Sequence, residues 1–125
     1  MTKPALILFA HGARDPEWAK PMRRVREAVL QRDSTLRVEL AFLEFMSPTL
    51  VDCARALVQE GFDAITVVPM FIAQGGHLKN DVPVLMDELR KAHPDVRFVL
   101  SPPVGEAEAM VQAMATYALG LTRSF

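Results

Sequence analysis

Apolar positions along the chain fall into two alternating patterns. Short runs, Ala5 to Ala10, Arg37 to Leu43, Ala64 to Pro69 and Val96 to Leu100, are apolar or β-branched over most of their length. Between and after them lie longer stretches in which apolar residues recur every three or four positions. The short runs predict strands buried on both faces, and the longer recurrence predicts amphipathic helices packed across them.

The first helix is expected from Pro16 or Glu17 to Gln31, with Trp18, Met22, Val25 and Val29 on one stripe and Asp15 as its cap. Pro21 falls near its first turn, where a missing N–H matters least. Ser47-Pro48 has the form of an N-cap followed by a first-turn proline, so the second helix is expected from there to Glu60, with Gly61 as its stop. The third is firm from Asp81, because Pro83 fits a first turn, and its stripe is Val82, Leu85, Met86 and Leu89. A fourth, Gly105 to Leu119, is expected to turn Ala107, Met110, Val111, Met114 and Ala118 inward.

Regular alternation of strand and helix with short connections implies an α/β protein: three layers, α/β/α, around a four-stranded parallel sheet. The strand order is expected to be 2-1-3-4, as in flavodoxin-like folds. No linker, repeat or low-complexity tract interrupts the pattern, so residues 1–125 read as one domain.

Charge narrows the partners. Fourteen Lys and Arg against fifteen Asp and Glu are intermixed, leaving a net charge of -1 and no field to draw a nucleic acid or an anionic membrane. A small-molecule partner is favoured. Cys53 is the only cysteine, which excludes an intrachain disulfide and a cysteine-rich zinc cage, and its setting in VDCARALV is that of a buried helical thiol. Ala5 to Ala10 is too short for a signal segment or a membrane span, so a cytoplasmic protein is expected.

Ligands of open parallel sheets sit beyond the carboxyl ends of the strands. There the first strand delivers His11, Gly12 and Arg14, the second Glu44 and Phe45, and the third Met70, Phe71, Gln74, Gly75, Gly76 and His77. Two imidazoles and a carboxylate at one edge form a divalent-metal shell with positions left open. The structural alternatives are a strand-end histidine satisfied by backbone groups for His11, a helix-start residue for His77, and dipole pairing for Glu44. Gly75-Gly76 is either a phosphate cradle, a tight turn or a close backbone approach; no Walker lysine or GxGxxG accompanies it. Phe45, Met46, Met70 and Phe71 read either as core or as the lining of a flat apolar slot. A phosphohistidine role for His11 lacks support from Ala10, which stands where such enzymes carry an arginine. His93 follows a helix, falls at the opposite edge and receives no function.

The stretches LILFAHGARDP, VELAFLEFMSPTL and ITVVPMFIAQGGHLKNDVP, in this order and spacing, resemble the class II chelatases, in particular the short sirohydrochlorin cobaltochelatases and ferrochelatases. Ala13 departs from the family pattern, which commonly has serine there. The resemblance implies a chelatase-like fold and insertion of cobalt or iron into sirohydrochlorin for cobalamin or sirohaem. It implies His11 and His77 as metal ligands, with Glu44 at the acidic position beside them. One of the three takes the pyrrole protons. Arg14 and Lys79 are then candidate anchors for the carboxylates of the macrocycle, with Phe45, Met70, Gly75 and Gly76 as further candidate contacts. The metal, Co2+, Fe2+ or Ni2+, is the substrate, and no organic cofactor is implied. Longer relatives look like two fused copies, so a homodimer is expected. The competing expectation is a tetrapyrrole or divalent-metal carrier that binds without turnover.

Overall fold

A computed structural model of the chain describes residues 2–123, and the side chain of His77 lies outside the described part. Strands β1 (Pro4–Ala10), β2 (Arg37–Phe42), β3 (Ala64–Pro69) and β4 (Arg97–Leu100) pair in parallel, in the order β2-β1-β3-β4. The helices are α1 (Lys20–Arg32), α2 (Leu50–Gln59), α3 (Gly76–Ala92) and α4 (Glu108–Thr122). Parallel pairing, strand order and alternation are those expected from the sequence.

The chain steps outward from β1 to β2, then back across β1 to β3 and on to β4. Right-handed crossovers therefore put α1 on one face and α2 and α3 on the other. Strand alternation matches. Ala5, Ile7 and Phe9 of β1 are in register with Ile65 and Val67 of β3, and with Phe98 and Leu100 beyond. All join Leu50, Cys53, Ala54 and Leu57 of α2 and Val82, Met86 and Leu89 of α3 in the main core. Phe9 and Phe71 meet edge to face at 5.9 Å. On the α1 face a smaller cluster holds Ala10, Ala19 and Phe42, with Met22, Leu40, Met46 and Met70 packed against it. Cys53 is buried as expected, and that burial pushes its thiol up to about 12.

Local details depart from the sequence reading at four places. The first helical stretch splits into a 3-10 turn, Pro16–Ala19, capped by Asp15 through Glu17 N–H at 3.0 Å, and α1 proper; Trp18 is 39% exposed. Ser47 is not the cap of α2. The Ser47-Pro48 peptide is cis, the Pro48 carbonyl accepts from Phe42 N–H at 2.9 Å, and Thr49 becomes the cap, accepting from Asp52 N–H at 3.2 Å. The chain thus stays alongside the end of β2 until Thr49. Helix α3 starts at Gly76 rather than Asp81, so Pro83 lies inside it. Lys79 N–H donates to the Gly75 carbonyl at 3.1 Å, closing a turn ahead of the proline.

The fourth departure is the largest. None of Met110, Val111, Met114 and Ala118 is buried, nor is Ala107 before the helix: every residue of α4 is exposed, and the helix contacts the 3-10 turn Val104–Glu106 that precedes it. Periodicity identifies an apolar stripe but not the surface that receives it.

Candidate metal and substrate edge

The β1–β2 ladder continues past both strands. Leu43 N–H donates to the Ala10 carbonyl at 3.0 Å and Glu44 N–H to the His11 carbonyl at 3.1 Å, so backbone pairing sets His11 beside Glu44. Their side chains follow, with His11 Nδ1 and Glu44 Oε1 3.7 Å apart and the two groups 45% and 48% exposed. The nearest backbone acceptor for His11 Nδ1, the Gly12 carbonyl, is 3.4 Å away, a weak tether. This leaves an imidazole and a carboxylate side by side, open to solvent, and not locked by strong internal bonds.

Gly12 makes the approach possible. Its φ is +92°, and a Cβ there would collide with the Glu44 carbonyl oxygen. The chain turns away after Glu44 at Phe45, whose φ of 66° is unusual for an aromatic residue. Arg14 stacks its guanidinium over the exposed Phe45 ring at 4.7 Å, so these two candidate contacts form one unit. Met70 is instead part-buried against the α1-face cluster, its N–H donating to the Phe9 carbonyl at 2.8 Å. Phe71 is core.

Because β3 runs parallel beside β1, the segment after it reaches the same edge. Gly75 caps α3, Gly76 opens it, and the backbone of His77 lies in its first turn. Neither glycine has a positive φ, and a Cβ on either would meet nothing within 4 Å. A tight left-handed turn is therefore not the reason for the pair; the space above it is open. Lys79 lines a cleft of about 240 Å³ with Ile72, Ala73, Gln74, Pro103 and Glu106. Among the described residues no three His, Cys, Asp or Glu side chains converge on a metal position. His11 and Glu44 form a pair.

Two features of this edge escaped the sequence reading. Gly105 packs its backbone against Ile72 so closely that any Cβ would clash, and its N–H donates to the Phe71 carbonyl at 3.0 Å. Glu106 brings a carboxylate to the cleft beside Lys79. The signal available for Gly105 was its position after Pro102-Pro103, which ends a strand without starting a helix. His93 caps the far end of α3, its ring 6.1 Å from Phe98, well separated in the fold from the edge just described.

Sheet order and ligand edge together define a doubly wound α/β protein with an imidazole–carboxylate pair at its carboxyl edge. The chain belongs to the CbiX family, whose profile matches residues 5–118. A sirohydrochlorin cobaltochelatase of Sulfurisphaera tokodaii is 29% identical, over 87% of this chain and 86% of its own length. A structure from Marinobacter aquaeolei VT8, described as a cobalamin (vitamin B12) biosynthesis CbiX protein, superposes with a TM-score of 0.86 at 27% identity, covering 98% of this chain and 100% of that one. The sirohydrochlorin chelatase SirB of Bacillus subtilis subspecies spizizenii, solved in complex with cobalt, superposes with a TM-score of 0.76 at 28% identity. That match covers 90% of this chain but 48% of SirB. No helix among the described residues is long and apolar enough to cross a membrane.

Proposed function

We propose that the chain, residues 1–125 acting as one chelatase domain, inserts a divalent metal, cobalt or iron, into sirohydrochlorin. The observation that carries this reading is the solvent-open pair of His11 and Glu44, 3.7 Å apart, at the edge that the start of α3 also reaches. Insertion replaces two pyrrole protons by one metal ion, so the site must hold the ion, strip its waters and accept two protons. Imidazole and carboxylate donors suit cobalt, iron and nickel alike and release them more readily than a closed cysteine cage would. His11 and His77 hold the ion, and Glu44 or an imidazole takes the protons as general base.

The macrocycle is flat and rimmed by carboxylates. The open space above Gly75 and Gly76 admits its face, and Arg14, stacked on Phe45, and Lys79, in the cleft beside Gln74, supply cations for its carboxylates. Arg14 acts from its stacked position on Phe45. Met70 serves the edge by packing beneath it. The same reading makes the working unit a cytoplasmic homodimer that needs no organic cofactor.

Purified protein, sirohydrochlorin and Co2+ or Fe2+ are mixed and the absorption spectrum followed. Product in excess of protein is expected. His11→Ala and His77→Ala each lower the rate at least a hundredfold with circular dichroism unchanged, while His93→Ala stays within twofold of the parent. Equal losses in all three variants would sink the assignment, and product limited to one equivalent would mark a carrier.

A further inference from the structure

The carboxyl edge continues into a groove on the α2–α3 side of the sheet. Phe9 and Phe42, with Leu43 just past β2, line a space of about 310 Å³ together with Leu50 and Val51 of α2 and Leu85 of α3. A second hollow shares Leu43 and Leu85 and carries this space outward to Val84 and Asp81. Leu43 is the residue before Glu44, and its N–H holds the Ala10 carbonyl as the Glu44 N–H holds that of His11. One step of the same ladder therefore separates the groove from the imidazole–carboxylate pair.

The lining is apolar except at two places. Thr49 has its hydroxyl oxygen engaged as the cap of α2, accepting from Asp52 N–H at 3.2 Å, and Asp81 stands beside Val84 at the outer end. Neither hollow has a Lys or Arg in its lining, and Val84 is 56% exposed. The cations of the edge lie elsewhere, Arg14 over Phe45 and Lys79 in the cleft with Gln74. A carboxylate arm entering the groove would lose its water, gain no cation and approach Asp81. An apolar group would be stabilised by leaving water.

Sirohydrochlorin carries both kinds of group. Its carboxylate arms surround the macrocycle, and each of its reduced rings bears a methyl on a tetrahedral carbon. Such a methyl stands out of the ring plane on one side while the acetate on the same carbon stands out on the other, so the methyl can enter an apolar groove with the acetate turned away. We propose that the groove of Leu43, Val84 and Leu85 seats a methylated reduced ring and is the specificity pocket by which this chain selects a methylated macrocycle over a porphyrin with the same carboxylate arms and no ring methyl. The inference rests on the chelatase reading above and adds which edge of the macrocycle lies against α3.

Fluorescence titration of the two metal-free macrocycles, sirohydrochlorin and uroporphyrin III, tests it. The parent is expected to prefer sirohydrochlorin by about tenfold or more, the range for a methyl-sized group in an apolar pocket. Val84→Thr, which keeps the shape and adds a hydroxyl, and Leu43→Asn should each reduce that preference by roughly threefold or more, through weaker binding of sirohydrochlorin with uroporphyrin III unchanged, and Val84→Ile should retain it. Val84 is exposed, so its variants carry the test if Leu43→Asn does not fold by circular dichroism. A parent that binds neither macrocycle overturns the chelatase reading and this inference together. A parent that binds and metallates sirohydrochlorin but holds both macrocycles equally, or variants that keep the full preference, overturn the groove alone. If a variant turns a sedimenting dimer into monomers with the preference intact, the groove belongs to a second copy and the proposal fails.

Discussion

His11 was legible from the sequence because an imidazole directly after a buried strand has one place to go, the carboxyl edge of the sheet. Its neighbour was less so. That Glu44 lies beside His11, and not merely at the same edge, depends on the ladder continuing past both strands, which is a property of tertiary pairing. Gly12 depends on the same pairing: its need to lack a side chain comes from the Glu44 carbonyl, far along the chain. Gly12→Ala is therefore expected to destabilise the protein by more than about 1 kcal/mol, since both the positive φ and the collision oppose it. Urea unfolding measures the loss. Chelation by the folded fraction should fall as well, because relief of the clash drives His11 and Glu44 apart; unchanged stability and rate would mean the contact relaxes freely.

Helix and strand placement was readable from periodicity, but the ends were set by contacts periodicity does not contain. Thr49 replaced Ser47 as cap because Pro48 is held to β2, and α3 began before Asp81 because the loop after β3 already delivers a helical turn. A clasp at the other end of the sheet shows the same limit. Arg37, the first residue of β2, donates Nε to Glu39 at 2.7 Å and both terminal nitrogens to Glu60 at 2.8 and 3.0 Å, joining β2 to the end of α2. Those hydrogen bonds hold the Glu60 carboxyl below its ordinary value of 4.5. A depressed carboxylate binds protons more weakly folded than unfolded, so its stabilisation is present above the ordinary carboxylate range and lost as pH falls through the folded value. Glu60→Gln should thus lower Tm at pH 7 and differ less from the parent as the solution is taken below pH 4, by thermal melts across that range. Exposure and salt screening keep the effect small, and 1 M salt should shrink it further. A Tm gap that widened on acidification would contradict the clasp.

At the scale of the molecule, alternation of strand and helix did not fix the strand order, and 2-1-3-4 was preferred on likeness to flavodoxin-like folds, which the sheet bears out; α4 could not be placed, since an apolar stripe is satisfied equally by its own sheet or by another copy. The consequence reaches the ligand edge. The root of α4 is clamped at Gly105 to Phe71 and Ile72, and Ile72 shares the cleft with Gln74 and Lys79, just ahead of the turn that carries His77. In the proposed homodimer, contacts on the exposed α4 would steady this root, and through it the loop that leads into α3. Chelation is then expected to depend on association: the rate per copy should fall on dilution from micromolar to low nanomolar enzyme, in step with the dimer fraction measured by sedimentation. A Met114→Asp, Tyr117→Asp protein, charged on the exposed side of α4, should show the low rate at every concentration although all candidate metal ligands are intact. A rate per copy that holds constant while the dimer dissociates would mean that each copy carries a complete site.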